Sequence, residues 1–168
     1  MKYFLFILVF IFTQFATISH SNTDVVFLDI NYVLTNSNKG KSLLQELEKK
    51  NNSNLSKLES KEKILKALEI DIEKKKNIIS KDELKKNIEN LKSQIVLFRN
   101  EKDKLVKEFN NLKNSEILKL MDLINPIISD YVTKNSINIV IDKKNIIIGK
   151  KSYDITNEIL LLVNENVK

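Results

Sequence analysis

The hydrophobic residues in the middle of the chain recur with the period of paired helices. With Leu44 as the first a position of a heptad, the a and d positions up to residue 72 are mostly leucine or isoleucine, and a second series from Leu84 continues to residue 116. An apolar stripe that recurs every 3.5 residues or so is typical of a coiled coil. The simplest role for this stripe is packing of one helix on another. Polar residues interrupt it at Asn51, Asn54, Lys61, Lys102 and Glu116.

A break between two helices is predicted near residues 77–81. Ser80 and Glu83 have the S-x-x-E spacing of a capping box, in which each side chain bonds the other residue's backbone N–H. One helix should therefore end near Asn77 and the next begin after Ser80. A short connection makes the two helices antiparallel, and arms of about 40 residues are roughly 60 Å long. The alternative is one continuous helix, because this stretch contains neither Gly nor Pro.

Short β-branched and aromatic stretches flank the helical region. The first predicts a strand at Val25–Ile30, and the second predicts a β-hairpin whose strands are Ile137–Ile141 and Ile146–Gly149. A closing helix follows to about residue 167, with Asp154 or Thr156 as its N-cap. Because an antiparallel arm returns the chain to its start, the first strand can pair with the hairpin.

These elements predict an α+β fold with a small β-rich body and one long antiparallel helical hairpin. The body is discontinuous, consisting of residues 22–38 and 132–168, and the arm is 39–131 with its tip near 77–81. A body of about 50 residues is too small for a strong independent core, so self-association is expected.

The N-terminus has the pattern of a secretory signal peptide over residues 1–21. Met1-Lys2 is followed by an apolar run, Tyr3–Phe12, which has the length of a signal-peptide core and is too short to span a membrane. Ser19 and Ser21 supply small residues for cleavage. The chain should therefore be exported, which in a bacterium means the periplasm. An uncleaved N-terminal anchor is the alternative.

The composition excludes several classes of function. There is no Cys, and the one histidine, His20, lies in the predicted signal segment. Disulfide scaffolds, thiol chemistry and His-ligated metals are thereby excluded from the exported chain, so no catalytic, cofactor-binding or metal-binding residue is predicted. Although the net charge is +6, Arg99 is the only arginine. Nucleic-acid recognition prefers arginine, so a nucleic acid is not expected as a partner.

Lysine is concentrated around the predicted tip of the arm. Six lysines against Asp82 and Glu83 give a local charge of 6 − 2 = +4. This surplus could bind acidic clients or anionic lipid heads, or it could simply be a solvated helix end. The six lysines are candidates for client or anion binding: Lys74, Lys75, Lys76, Lys81, Lys85 and Lys86.

Two stretches, Val25–Lys50 and Ile124–Leu160, resemble the Skp/OmpH family of periplasmic chaperones. The most recognisable pieces are IVID at 139–142 and DIT at 154–156. The resemblance implies a homotrimer whose three helical arms enclose a cavity. It further implies that the cavity holds unfolded outer-membrane β-barrel proteins without ATP, and that lipopolysaccharide is a further partner of such proteins, although no lipopolysaccharide site can be assigned to residues here.

The resemblance also implies roles for individual residues. Asp154 and Thr156 match the cap of the closing helix. The matched positions in the oligomerisation body are Val26, Leu28, Ile139, Ile141 and Ile147.

Taken together, the sequence predicts a periplasmic holding chaperone that is not an enzyme and needs no cofactor. One alternative is a periplasmic coiled-coil protein with a structural or envelope-tethering role and no client binding. Another is a lipid-surface binder that uses the basic tip.

Overall fold

The computed structural model describes residues 25–167, so the predicted signal segment lies outside the described part of the chain. The fold is α+β and mostly helical, with a long helical hairpin and a small strand pair, as predicted. Two short 3₁₀ turns, Lys143–Asn145 and Lys151–Tyr153, precede the last helix. The main elements are β1 (Val25–Leu28), α1 (Ile30–Asn36), α2 (Asn38–Lys75), α3 (Lys81–Lys134), β2 (Ile139–Asp142) and α4 (Thr156–Asn166).

The two strands pair in parallel, with Val25 opposite Ile139 and Leu28 opposite Asp142. The predicted pairing of the first strand with residues near 140 is therefore confirmed. The other edge of β1 carries a single bridge from Phe27 to Asp154. β1 is thus covered on both edges, whereas β2 lies at the edge of this two-stranded sheet.

The first strand is shorter than predicted. Asp29 ends it, because the Asp29 carboxylate accepts a hydrogen bond of 2.9 Å from the backbone N–H of Tyr32 and caps α1. Ile30 is consequently the first residue of a helix and not the last residue of a strand. The strand preference of the β-branched Ile30 is outweighed here by the helix cap that Asp29 provides.

The predicted hairpin is wrong, because Ile146–Gly149 does not form a strand. Asp142 accepts a hydrogen bond from the amide two residues further on and starts a 3₁₀ turn. Gly149 then lies against the ring of Phe27, so closely that a Cβ on this glycine would be 2.6 Å from Cε1. This path turns Ile147 and Ile148 outward, and they are 98% and 92% exposed.

The core is built from both ends of the described chain and the last third of α3. The helix α4 closes it, with Ile159 and Val163 fully buried against residues of α1 and α3. The buried residues of this cluster are Val26, Leu28, Val33, Leu120, Ile124, Ile155, Ile159, Val163 and Val167.

Two long-range hydrogen bonds join the chain ends around this core. The Thr156 hydroxyl accepts from the backbone N–H of Asp29 at 2.9 Å, and the Asn164 side chain accepts from the N–H of Asn38 at 2.7 Å. The second bond satisfies one of the free amides at the start of α2, the first helix of the arm. The last helix therefore holds the root of the arm.

The N-cap of α4 differs in detail from the prediction. Thr156 is the first helical residue, and Ile155 occupies the cap position without a side-chain bond. Asp154 still bonds the helix end, because its carboxylate accepts from the backbone N–H of Thr156 at 3.1 Å.

The arm consists of α2 with 38 residues and α3 with 54. At 1.5 Å per residue these helices are about 57 Å and 81 Å long. Ser80 caps α3 by accepting from the N–H of Glu83 at 3.2 Å. The break between helices is confirmed, and the continuous-helix alternative is wrong. Across residues 25–167, no helix combines the length and the apolar character required to cross a membrane.

Candidate binding surfaces

The two helices of the arm meet along a seam that buries very little. From Leu47 onward, α2 follows the predicted heptad, with Leu47, Asn54 and Ile72 buried. The first position is different, because Leu43 packs against the core while Leu44 is exposed. Between residues 55 and 119, Ile72 is the only buried residue. Most seam side chains therefore keep contact with water.

A charged pair crosses the seam halfway along the arm. Lys61, predicted at a d position, forms an ion pair with Glu101 of the opposite helix. The facing position on α3 differs from the prediction, because Glu101 is half-buried and Lys102 is exposed. The charge of Lys61 is thus compensated at the seam and does not have to be buried unpaired.

Apolar side chains flank the seam in facing pairs. Leu55 and Val106 line one groove, and Ile64 and Leu97 line another. These four side chains are between 48% and 64% exposed. On each helix the residues that line the two grooves are nine positions apart: Leu55 and Ile64 on α2, and Leu97 and Val106 on α3. At about 100° per residue, nine positions correspond to half a turn. The two grooves therefore lie on opposite faces of the arm.

The six tip lysines are in different environments. Lys75 pairs with Asp71 at 2.8 Å, and Lys76 pairs with Glu73. The remaining four, Lys74, Lys81, Lys85 and Lys86, form no ion pair with any other residue of 25–167. Between the helices Ile78 is 80% exposed, so the tip combines free positive charge with apolar surface.

The predicted body residues separate into a buried set and an exposed set. Val26 and Leu28 are buried within the chain's own core. Ile141 is half-buried, while Ile139 and Ile147 are exposed. Ile139 and Ile147, and in part Ile141, present apolar surface that a second chain could cover.

A polar cluster joins β2 to the start of α4. Lys143 pairs with Asp154 at 2.7 Å, and Lys144 pairs with Asp142 at 3.0 Å. Burial raises the pKa of Asp154, but the hydrogen bonds from Lys143 and Thr156 outweigh burial and hold this pKa below its ordinary value. The hydrogen bond to Asp154 raises the pKa of Lys143, and the bonds from Lys144 lower the pKa of Asp142. These groups hold their charges more firmly than free side chains do, as expected for a structural junction.

A family model described as "Outer membrane protein (OmpH-like)" matches residues 24–162. The chain belongs to the OmpH-like family. The predicted Skp/OmpH resemblance is therefore confirmed. A search of curated proteins found no significant match for this sequence.

The fold of this OmpH-like chain is also found in a solved structure. An OmpH-like protein of Caulobacter crescentus, for which an outer membrane chaperone role has been suggested, superposes with a TM-score of 0.78. The match covers 86% of each chain at 15% sequence identity. A likeness at this level of identity shows that the two chains share a fold with helical arms.

Two features of this OmpH-like chain were missed from the sequence, although one had a signal. Ile64 and Leu97 both fall at g positions of their heptads, and g positions face each other across an antiparallel pair. Apolar residues there indicate a groove beside the seam. By contrast, no local pattern links Asn164 to the N-terminus of α2, because 126 residues separate donor and acceptor.

Proposed function

We propose that this protein is an ATP-independent holding chaperone that binds unfolded outer-membrane β-barrel proteins in the periplasm and prevents their aggregation. The observation that carries the proposal is the exposed apolar surface along the arm. Some of its apolar residues, such as Ile64 and Leu97, lie beside the seam as exposed pairs and are not buried between the helices. Membership of the OmpH-like family supports the same function.

Such an arm suits a client that has no fixed shape. An unfolded barrel protein exposes apolar side chains and unpaired strand edges, through which it aggregates. Several small apolar grooves on two faces of an arm would each contribute a weak contact. Many weak contacts held close together give strong retention, yet each can be released without nucleotide.

We further propose that the chain works as a homotrimer, in which residues 22–38 and 132–168 form the shared body and residues 39–131 the arm. The proposal is supported by Ile147 and Ile148, which are almost fully exposed in the segment that follows β2, and by the unpaired edge of β2 itself. Exposed apolar side chains and an unpaired strand edge are both typical of a surface covered by another chain. The signal-like segment 1–21 supports export to the periplasm.

The decisive experiment is suppression of aggregation by the chain that starts at residue 22. A urea-unfolded outer-membrane β-barrel protein is diluted with and without this chain, in the absence of ATP, and light scattering is recorded. Suppression is expected. Unchanged scattering at several-fold molar excess, together with an intact oligomer, would instead favour the structural coiled-coil role.

A matched pair of variants tests whether the grooves hold the client. The double variant Ile64→Ser and Leu97→Ser removes one groove and should weaken suppression. The control is Leu118→Ser with Leu161→Ser, which removes apolar surface of nearly the same exposure (64% and 63%) away from that groove. Equal loss in both variants would show that the grooves have no special role. Light-scattering mass measurement tests the trimer, and a monomer at micromolar concentration contradicts it.

A further inference from the structure

One side of α3 near the tip carries a groove formed by a single helix. Its volume is about 340 Å³. We call these residues the α3 strip: Lys81, Leu84, Lys85, Ile88, Glu89 and Lys92. Lys92 was not among the sequence-predicted candidates, and Lys86, which was, does not line the strip.

The three lysines of the strip form a straight row. At 1.5 Å and 100° per residue, Lys85 and Lys92 lie about 6 Å and 16.5 Å along the helix from Lys81, all within about 40° of rotation. By the same arithmetic, Ile88 lies about 10.5 Å along the helix and about 20° from Lys81, on the side opposite to Lys85 and Lys92. A ligand lying along α3 would therefore meet three cationic groups and one apolar side chain within a band about 60° wide.

The lysines of the row are free to bind an anion. None of them forms an ion pair with another residue of 25–167, unlike Lys75 and Lys76 across the tip. Glu89 also lines the strip, which leaves a charge of 3 − 1 = +2. The first turn of α3 adds Asp82 and Glu83 outside the groove.

Apolar surface continues from the strip towards α2. Ile88 also lines a second groove of about 690 Å³, together with Ile70, Ile72 and Leu91. Glu69, Glu73 and Lys74 border this second groove on the α2 side, which therefore has a net charge of 1 − 2 = −1. The net positive charge of the combined apolar surface lies on its α3 border.

We propose that the α3 strip binds an acidic, apolar segment of a client that lies extended along α3. The row of lysines is about 16.5 Å long, which is the length of about five residues of extended chain. A flat bilayer would touch the tip of the arm, whereas the strip runs along its side. This assignment rests on the proposed chaperone function and names the part of a client that the arm recognises first by charge.

A labelled peptide tests the strip directly. The probe is a ten-residue peptide in which aspartate alternates with valine and phenylalanine, and its partner probe carries lysine in place of each aspartate. Binding to the whole chain is followed by fluorescence anisotropy at low and high salt. The acidic peptide is expected to bind, more weakly at high salt, and the lysine peptide is not.

Two triple variants of equal net charge separate the strip from general basicity. The strip variant is expected to bind the acidic peptide about tenfold more weakly, because three exposed ion pairs are lost together, whereas the control should change less than about twofold. Circular dichroism verifies that both are folded. The strip variant is Lys81→Gln, Lys85→Gln and Lys92→Gln, and the control is Lys50→Gln, Lys57→Gln and Lys107→Gln.

The outcomes distinguish this proposal from the one it rests on. Equal effects of the two triples overturn the strip, as does a strip variant that loses binding to phosphatidylglycerol vesicles but keeps the peptide. If the wild-type chain suppresses aggregation and the strip variant holds acidic clients and peptide equally well, the strip is wrong and the chaperone stands. If peptide binding maps to the strip but no client is held, the strip stands and the chaperone function fails.

Discussion

Substitution of Gly40 by alanine should destabilise the root of the arm. This glycine lies in the first turn of α2, directly beneath the end of α1. A Cβ at this position would be 1.7 Å from the carbonyl oxygen of Leu34 and 2.8 Å from the hydroxyl oxygen of Ser37. The first contact is with backbone, so no side-chain rotation relieves it. Either α1 or the start of α2 must move.

The expected loss follows from three opposing contributions. Alanine gains about 1 kcal/mol over glycine from helix propensity. Overpacking costs about 1–3 kcal/mol, and the contact with the Leu34 carbonyl places this case at the upper end. Displacing Ser37, whose hydroxyl accepts from the Gly40 N–H at 3.1 Å, costs about 1 kcal/mol more as a lost cap. The net loss is therefore about 2–3 kcal/mol.

Urea unfolding followed by far-ultraviolet circular dichroism measures this loss as a fall in the midpoint at constant slope. The control is Lys41→Ala at the neighbouring exposed position, which should change stability by less than about 0.5 kcal/mol. A Gly40→Ala chain as stable as the wild type, or more stable, would refute the close approach of the two helices and leave only the helix-propensity gain.

Two further perturbations probe one ion pair in the body and one ion pair in the arm. Asp154→Asn should lower stability at pH 7 by about 1–2 kcal/mol, since the carboxylate loses its charge-assisted bond to Lys143. Because the folded pKa of Asp154 is lowered, the wild-type advantage is present above the ordinary pKa near 4 and should shrink as pH falls below it in urea titrations. An advantage that stays constant down to pH 2 contradicts the assignment. A double-mutant cycle with Lys61→Met and Glu101→Gln should give a coupling of about 0.2–1 kcal/mol that decreases with salt, and zero coupling at low salt would show that the pair does not clasp the seam.

The arm could be predicted from the sequence because its signals are local. The 3.5-residue period sets the seam, and the spacing of Ser80 and Glu83 sets the break, so neither depends on distant contacts. In the arm, the heptad prediction was wrong where two adjacent residues could each occupy the inward-facing position. At the root of the arm Leu43, and not Leu44, faces inward, because Leu43 packs against the core of the body.

The second half of the predicted hairpin failed for a physical reason. The segment Ile146–Gly149 has the composition of a strand, but the turn that precedes it is closed by the Asp142 side chain as a 3₁₀ turn. Contact of Gly149 with Phe27 then fixes the chain in an irregular path. Composition indicates which residues tend to be buried, whereas tertiary contacts decide whether they pair as a strand. Ile147 and Ile148 do not form a strand, and they remain as exposed apolar side chains.

The buried core and the exposed apolar surface of the arm lie in two different parts of the chain. The fully buried residues Val33, Ile124, Ile159 and Val163 all belong to the core at the root, and none lies in the outer arm. Each apolar side chain left out of the seam costs the arm stability, yet it adds the exposed apolar surface that the proposed function requires. An arm with a well-buried seam would be more rigid and would expose less apolar surface. The interrupted heptad is therefore consistent with the proposed holding function, because the buried core at the root of the arm does not depend on the outer part of the seam.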